Sequence, residues 1–551
     1  MKINKLFLTA GLFVVALTSC TDLDVTPNSQ YTEDPSKNSG IDPTILIEAK
    51  MANIYYHMAG TLGRRYMEAH CLASDEFTAL AFDGGYYDEG TYAHQALHDS
   101  RATDGALDWY SEVTAGITNA NKILKEIYEE QGEDADIIMT APARAMRAYF
   151  TWILMDSFGD APIIESAPAE GEVVPRSPRK EVAEWIEKEL QEIIPGLTED
   201  VTEKTYGKPT RWMAEALLAK LYINWAVYTA ESVDQYDAAT ATNEKLESCI
   251  AACDDIINSG KFNLGGSVDY LHKFSYDNGS FVGDFIYAMP YDVYTLLGFQ
   301  YGRPRSFKQL KGMLPTYYGF EDKFTQSFGG NMVVTPEFAQ LFCLEGDIRN
   351  LCILRGDVFI RDPKTLKPTS EPFMYNGKQV HFTETITLKK QDNTIEVGND
   401  DNAIQQGCHS IKWYVNPAEY NIKDETNSGR NQSNDLPIFR FADILLMKAE
   451  ALTRLGHSGA MDLFNQIRTY AGAPTISAEP TLDEIYDERG REFFDENWRR
   501  NDMIRFGHFE DEFFPHYKGF PDANFDKRHR IFPVEQEMLD LNPGWEQNPG
   551  Y

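Results

Sequence analysis

Apolar positions recur at helical spacing through most of the chain and lose that period in one central stretch. The spacing predicts helices over 45–58, 107–128 and 141–158. Ser177-Pro178 reads as the start of another, with serine as N-cap and proline at the first helical position. That run continues through Val182, Ile186, Leu190 and Ile193. Helices are also predicted over 210–228, with Ala214, Leu217, Leu218, Leu221 and Trp225, and over 244–259, ending at Gly260. These two read as an αα-hairpin, the alanines of the first allowing close approach. A second hairpin is predicted over 436–456 and 458–471. There Leu446, Ala449, Ala451, Leu455, Ala460, Leu463, Phe464 and Ile467 follow the Ala/Leu pattern of a tetratricopeptide unit. The spacing between units is irregular, so helix pairs embedded in a larger body are expected. Trp109, Trp152, Trp212 and Trp225 fall in helical patterns and are assigned to the core.

From 281 to 436 the helical period fades while Gly, Pro and aromatic residues rise. Thr335-Pro336-Glu337 begins one short helix, and Asn376-Gly377 between Tyr375 and Lys378 is a hairpin signal of the type I′ kind. The expected fold is mainly α, with tetratricopeptide-like helix pairs forming an α-α superhelical scaffold and a loop-rich, partly β insertion. The scaffold is assigned to 37–280 and 437–510, the insertion to 281–436 and a C-terminal tail to 511–551. A loop-rich insertion on a helical scaffold is where a binding site is expected.

The first 36 residues follow another pattern. Lys2 and Lys5 precede an apolar run over 6–17, too short to span a membrane, which takes about 20 residues. This is a secretory leader over 1–19. Leu17-Thr18-Ser19-Cys20 resembles the lipobox of bacterial lipoproteins, in which Cys20 would be acylated and become the first mature residue. Residues 20–36 are polar and read as a lipid-anchored tether. Asp22 and Asp24 resemble a signal for export to the outer face.

Charge and composition then narrow the function. The formal net charge is −34. Such a surface repels nucleic acid and anionic lipid and suits a neutral or cationic ligand. Besides Cys20 there are six scattered cysteines, which do not form a small disulfide framework. Cys249 and Cys253, spaced i,i+4, are read as core rather than metal ligands. His94 and His98 share that spacing without a third ligand and are read as ordinary surface histidines. No cofactor or metal is expected; the acidic run Asn399-Asp400-Asp401-Asn402 offers structural calcium as the one alternative to a merely solvated loop.

Thr481-Leu482-Asp483-Glu484 reads as a capping box. In the helix it opens, Glu488, Glu492 and Glu496 are predicted to share one face, with Arg489, Arg499, Asp502 and Arg505 around them. These residues read as a structural ion-pair network, since so many arginines would hold the carboxylates ionised and unfit for proton donation. They resemble the Glu-Arg-x-x-Glu-Phe-x-x-Glu-x-x-Arg-x-x-Asp-Leu-x-Arg pattern of the SusD/RagB family of Bacteroidetes outer-membrane lipoproteins. Met503 stands where leucine is usual and Arg500 where an aromatic is frequent. The stretch 436–451, Arg144-Ala145-Met146-Arg147-Ala148-Tyr149-Phe150, Phe158-Gly159-Asp160-Ala161-Pro162 and the ending over 542–551 are similar to the family as well.

The resemblance implies a non-enzymatic cell-surface lipoprotein. It would bind oligo- or polysaccharide and pass it to a SusC-like TonB-dependent outer-membrane transporter; a RagB-type member would take peptides instead. An extracellular glycan hydrolase is the weakest reading, because HExxH, Gly-x-Ser-x-Gly and P-loop signatures are all missing. Sugar faces stack on aromatic rings, and two aromatic-rich loop stretches meet that need. The first offers Asp83, Tyr86, Tyr87 and Tyr92, the second Tyr294, Tyr301, Arg303, Tyr317 and Tyr318. These nine are the candidate glycan-binding residues.

Overall fold

The computed structural model describes residues 43–551 apart from 84–89, 106, 133, 167–168, 170, 267, 301–331, 393, 417 and 420–430. The leader, Cys20 and the tether lie outside these residues, as do Tyr86, Tyr87, Tyr301, Arg303, Tyr317 and Tyr318.

The predicted helices form with shifted ends. They are α1 (Pro43–Tyr55), α2 (Tyr110–Gln131), α3 (Ile137–Phe158), α4 (Arg179–Ile193), α5 (Arg211–Ile223) and α6 (Leu246–Ser259). Strand β1 (Phe285–Met289) opens the insertion and strand β2 (Leu436–Arg440) closes it. Helices α7 (Phe441–Leu455), α8 (Ala460–Ala471), α9 (Leu482–Glu492) and α10 (Arg499–Phe506) follow. Helices α2 to α8 pack as a row in which each contacts the next, with α9 lying on α7 and α10 on α9. This row is the superhelical scaffold that the periodicity implies. Residues 50–551 make one compact unit and 1–49 another, of which only the start of α1 is described.

The buried face of α5 is rich in alanine: Ala214, Ala216 and Ala219 are buried, and the Cys249 thiol of α6 reaches the Ala219 carbonyl. Cys249 and Cys253 are core residues, as are the four tryptophans assigned there. Among the described residues no disulfide forms, and no group of three His, Cys, Asp or Glu is arranged to hold a metal ion.

Three local expectations are corrected. Ser177 does not cap α4; it pairs with Ala161 in a two-residue strand, and Pro178 takes the N-cap position. The Arg179 N–H is instead accepted by Asp160, at 2.8 Å. Residues 436–440 are strand, not helix, because β2 finds a partner in β1, antiparallel and with an irregular register. The pairing joins the two stems of the insertion and sets Asp284 against Arg440, whose Cα partner is Phe285. His94 and His98 are buried, not at the surface: His94 meets Asp104 at 3.0 Å, and His98 stacks on Phe509 with centroids 4.0 Å apart.

Within the insertion the strands pair in twos. The Asn376-Gly377 turn joins Met374–Tyr375 to Lys378–Gln379, with φ of 50° and 76° at the two central residues. That is the left-handed pair a type I′ turn requires.

The C-terminal tail seals the end of α3. The amide nitrogen of Asn548 donates to the Phe158 and Phe532 carbonyls at 2.8 and 2.7 Å, while its oxygen accepts from Arg176. The Phe158 carbonyl is one of the acceptors a helix leaves open at its C-terminus.

Candidate functional site

Two structures need separating, the motif that was legible in the sequence and the surface that can meet a ligand. The capping box forms as expected, Thr481 and Glu484 bonding reciprocally. Helix α9 stops at Glu492, however, and the chain passes through Asp495 and Asn497 at φ of 63° and 65° before α10. Glu496 therefore does not share the face of Glu488 and Glu492. It reaches Arg440 at 2.7 Å and also pairs with Lys412.

The ion-pair network itself is present and almost wholly buried. Arg349 binds Asp347, Glu488 and Glu492; Arg440 binds Asp284, Glu492 and Glu496; Arg499 binds Asp75. Asp284 also accepts from Lys273 and from the Ala442 N–H, so it caps α7 from the far side of the insertion. Burial alone would raise the Asp284 carboxyl, but Lys273 and Arg440 hold it down to about 2. Carboxylates held ionised this firmly are poor proton donors at neutral pH. Arg500, in the position the family pattern gives to an aromatic, lies 4.2 Å from the Phe532 ring centroid and is itself buried.

The surface candidates separate by exposure. Tyr92 is overturned as a surface ring: it is buried in a short helix, Thr91–Ala96, and its hydroxyl donates to Glu68 at 2.5 Å. Asp83 is exposed, but its carboxylate pairs with Lys389 and its N–H donates to Glu396. Tyr294 is 71% exposed, the open ring among the described candidates.

A rigid loop presents Tyr294. Asp292 and Leu296 exchange both backbone hydrogen bonds, and Asp292 Oδ1 accepts the N–H groups of Tyr294 and Thr295 at 2.9 and 2.8 Å. On one side the loop is held by Tyr291, whose hydroxyl donates to the Ala59 carbonyl at 2.6 Å. On the other, Phe299 is buried 5.1 Å from Trp413 by ring centroids. Beneath it the Gln300 N–H donates to the Gly63 carbonyl, inside the π-helical turn Leu62–Tyr66. A Cβ on Gly63 would sit 2.4 Å from the Gly298 carbonyl oxygen, so the two backbones touch. Gly63→Ala is expected to lower stability by about 1–3 kcal/mol and to displace the loop. Thermal unfolding, together with quenching of Tyr294 fluorescence in a variant series, would measure both effects.

Two buried carboxyls are engaged by the chain around the loop. Asp435 accepts from the Tyr206 hydroxyl at 2.7 Å and the Tyr291 N–H at 2.8 Å, and burial pushes its carboxyl up to about 7. Glu419 accepts from the Ser433 N–H, and burial likewise pushes it up to about 7. Phe281, 63% exposed, is a second large exposed ring. It lies two residues beyond Gly279, whose position faces Asp435. The sequence reading passed over it, although an aromatic after Asn278-Gly279-Ser280 carries the signal of a ring on a turn.

The fold is that of solved SusD-superfamily proteins. Surface glycan-binding protein A from Bacteroides thetaiotaomicron in complex with laminarihexaose aligns at 18% identity and TM-score 0.68, over 92% of this chain and 99% of that one. A SusD superfamily protein from Parabacteroides distasonis aligns at 19% identity and TM-score 0.67, over 93% and 100%. The chain belongs to the SusD family: residues 298–551 match the SusD family model, and residues 23–223 match one described as "Starch-binding associating with outer membrane". The starch-binding protein SusD of Bacteroides thetaiotaomicron is 23% identical over 478 residues, 81% of this chain and 78% of that protein.

Proposed function

We propose that the protein is a surface lipoprotein that binds oligo- or polysaccharide and delivers it to a TonB-dependent outer-membrane transporter. The observation that carries the reading is Tyr294, a large exposed ring on a loop fixed from both sides. An aromatic face covers the apolar side of a sugar ring while acceptors take its hydroxyls. Because the loop is pre-formed, little ordering entropy is lost on binding. Relatives named for binding starch and laminarin support a carbohydrate ligand.

On an array of neutral α- and β-glucans the protein is expected to retain at least one glycan. Tyr294→Ala should weaken that binding roughly tenfold with unchanged circular dichroism. An array on which nothing binds would remove the carbohydrate reading. Anchoring rests on Cys20, so a clickable palmitate analogue fed to cells should label the wild type and not Cys20→Ser.

A further inference from the structure

Helix α8 ends against the insertion, and the junction leaves a pocket of about 680 Å³. That volume is well inside the range for ligand sites, about 300–1,000 Å³. One wall is backbone. Gly472, just past the helix, and Gly346, in the insertion, have φ of 73° and 77°, which glycine adopts without strain. A Cβ on Gly346 would lie 2.8 Å from the Gly472 carbonyl oxygen, and one on Gly472 would lie 2.9 Å from that of Gly346. The two chains touch there, and both glycines line the pocket.

Three lining side chains suit a polyol. Tyr470, in the last turn of α8, is half-buried. Its hydroxyl is committed to the Val268 carbonyl at 2.9 Å, and Lys273 lies 4.3 Å from the ring centroid. What it can offer a ligand is the exposed part of the ring, an apolar surface. Asp269 is exposed and lines the pocket. Its Oδ1 accepts the Leu271 and His272 N–H groups at 3.0 and 3.1 Å and meets His272 Nδ1 at 2.9 Å, leaving Oδ2 as an open acceptor among the described residues. Lys367 is exposed, lines the pocket and forms no ion pair among the described residues. The one other carboxylate in the lining, Asp347, is already held by Arg349 at 2.8 Å. An open acceptor and an open donor of opposite charge favour a neutral ligand, since one of them repels an ion of either sign. A sugar ring has an apolar face for the tyrosine and hydroxyls that both donate and accept.

We propose that this pocket is a second saccharide site, with a sugar ring against Tyr470 and its hydroxyls on Asp269 and Lys367. The assignment takes its ligand class from the carbohydrate reading but shares no residue with the Tyr294 loop.

Calorimetric titration of the purified protein with maltohexaose and with cellohexaose tests it. At least one of them should occupy two sites per chain. Tyr294→Ala should remove one site, Thr469→Arg the other, and the double variant both. Thr469 is exposed in the last turn of α8 and lines the pocket, so a long side chain there obstructs the site, and a cation suits a helix C-terminus. Lys367→Ala removes an exposed side chain and should weaken the second site about tenfold; it decides if Thr469→Arg fails to fold. A single site lost in Tyr294→Ala would overturn this proposal and leave the Tyr294 reading standing. A single site lost only in Thr469→Arg would do the reverse. Two sites unmoved by both Thr469→Arg and Lys367→Ala, or no binding of either oligosaccharide, would also overturn it.

Discussion

Arg440→Met is expected to cost about 3–5 kcal/mol of unfolding free energy, the loss typical when one member of a buried ion pair is removed. Arg440 is 2% exposed and stands where three carboxylates converge. Its guanidinium donates to Asp284 at 2.6 Å, to Glu492 at 2.9 Å, and to the two oxygens of Glu496 at 2.7 and 2.8 Å. Methionine roughly fills the volume but donates nothing. Lys273, Arg349 and Lys412 remain beside Asp284, Glu492 and Glu496, so the carboxylates keep some compensation. That compensation holds the loss to the range of a single broken pair. Arg211→Met, at the half-exposed pair with Glu199, is the control and should change stability by about 1 kcal/mol or less. Chemical denaturation of both variants reads the contrast. An Arg440→Met protein as stable as the control variant would show that the network does not hold the scaffold together.

The second large effect is on acid stability. Asp284, Asp443 and Glu450 are fully buried, and burial alone would raise their carboxyls; their basic partners instead hold each down to about 2. A carboxyl depressed in the folded state contributes stability above its unfolded pKa and loses it as pH falls toward the folded value. Each should therefore withdraw about 2–3 kcal/mol between roughly pH 5 and 2. Together that rivals the whole stability of a typical domain, about 5–15 kcal/mol.

Nearer neutrality two groups oppose each other. Burial pushes Glu112, Glu215, Glu419, Asp435 and Glu535 up to about 7. Their contribution is complete below their unfolded pKa and is lost as pH rises through about 7. Burial also lowers His70, His98 and His409, the last to about 3. Their contribution is complete above the unfolded histidine pKa and drains away as pH falls below it. The two sets oppose one another between about pH 5 and 7, where five carboxyls outnumber three histidines, so stability should rise modestly as pH falls through that range and collapse below about pH 4. Melting temperature against pH measures the profile. A protein that melts equally well at pH 3 and pH 6 would contradict it.

Much of the scaffold was legible because helices of α2 to α8 carry a repeating apolar face whose period survives without knowledge of the partner. What escaped depends on distant chain. The strand over 436–440 reads locally as the first turn of a helix, and only β1, nearly 150 residues earlier, makes it a strand. The stop at Glu492 was hidden because Glu496 keeps the i,i+4 spacing. Only Arg440 and Lys412 give a reason for the chain to turn and deliver Glu496 elsewhere. Ser177 lost its capping role to an aspartate 17 residues upstream. The aromatic content of the loops named both Tyr294, which is exposed, and Tyr92, which is buried, because composition cannot tell the two apart. Tyr92 went inward because Glu68 waits there for its hydroxyl.

The bonds between Asp75 and Arg499, and between Glu76 and the Asp495 N–H, join residues more than 400 positions apart. A ribosome has therefore released nearly the entire polypeptide before its earliest charges find their mates. Until then Asp75 and Glu76 lack the partners that Arg499 and the Asp495 N–H supply. Those two bonds are therefore among the last that synthesis permits.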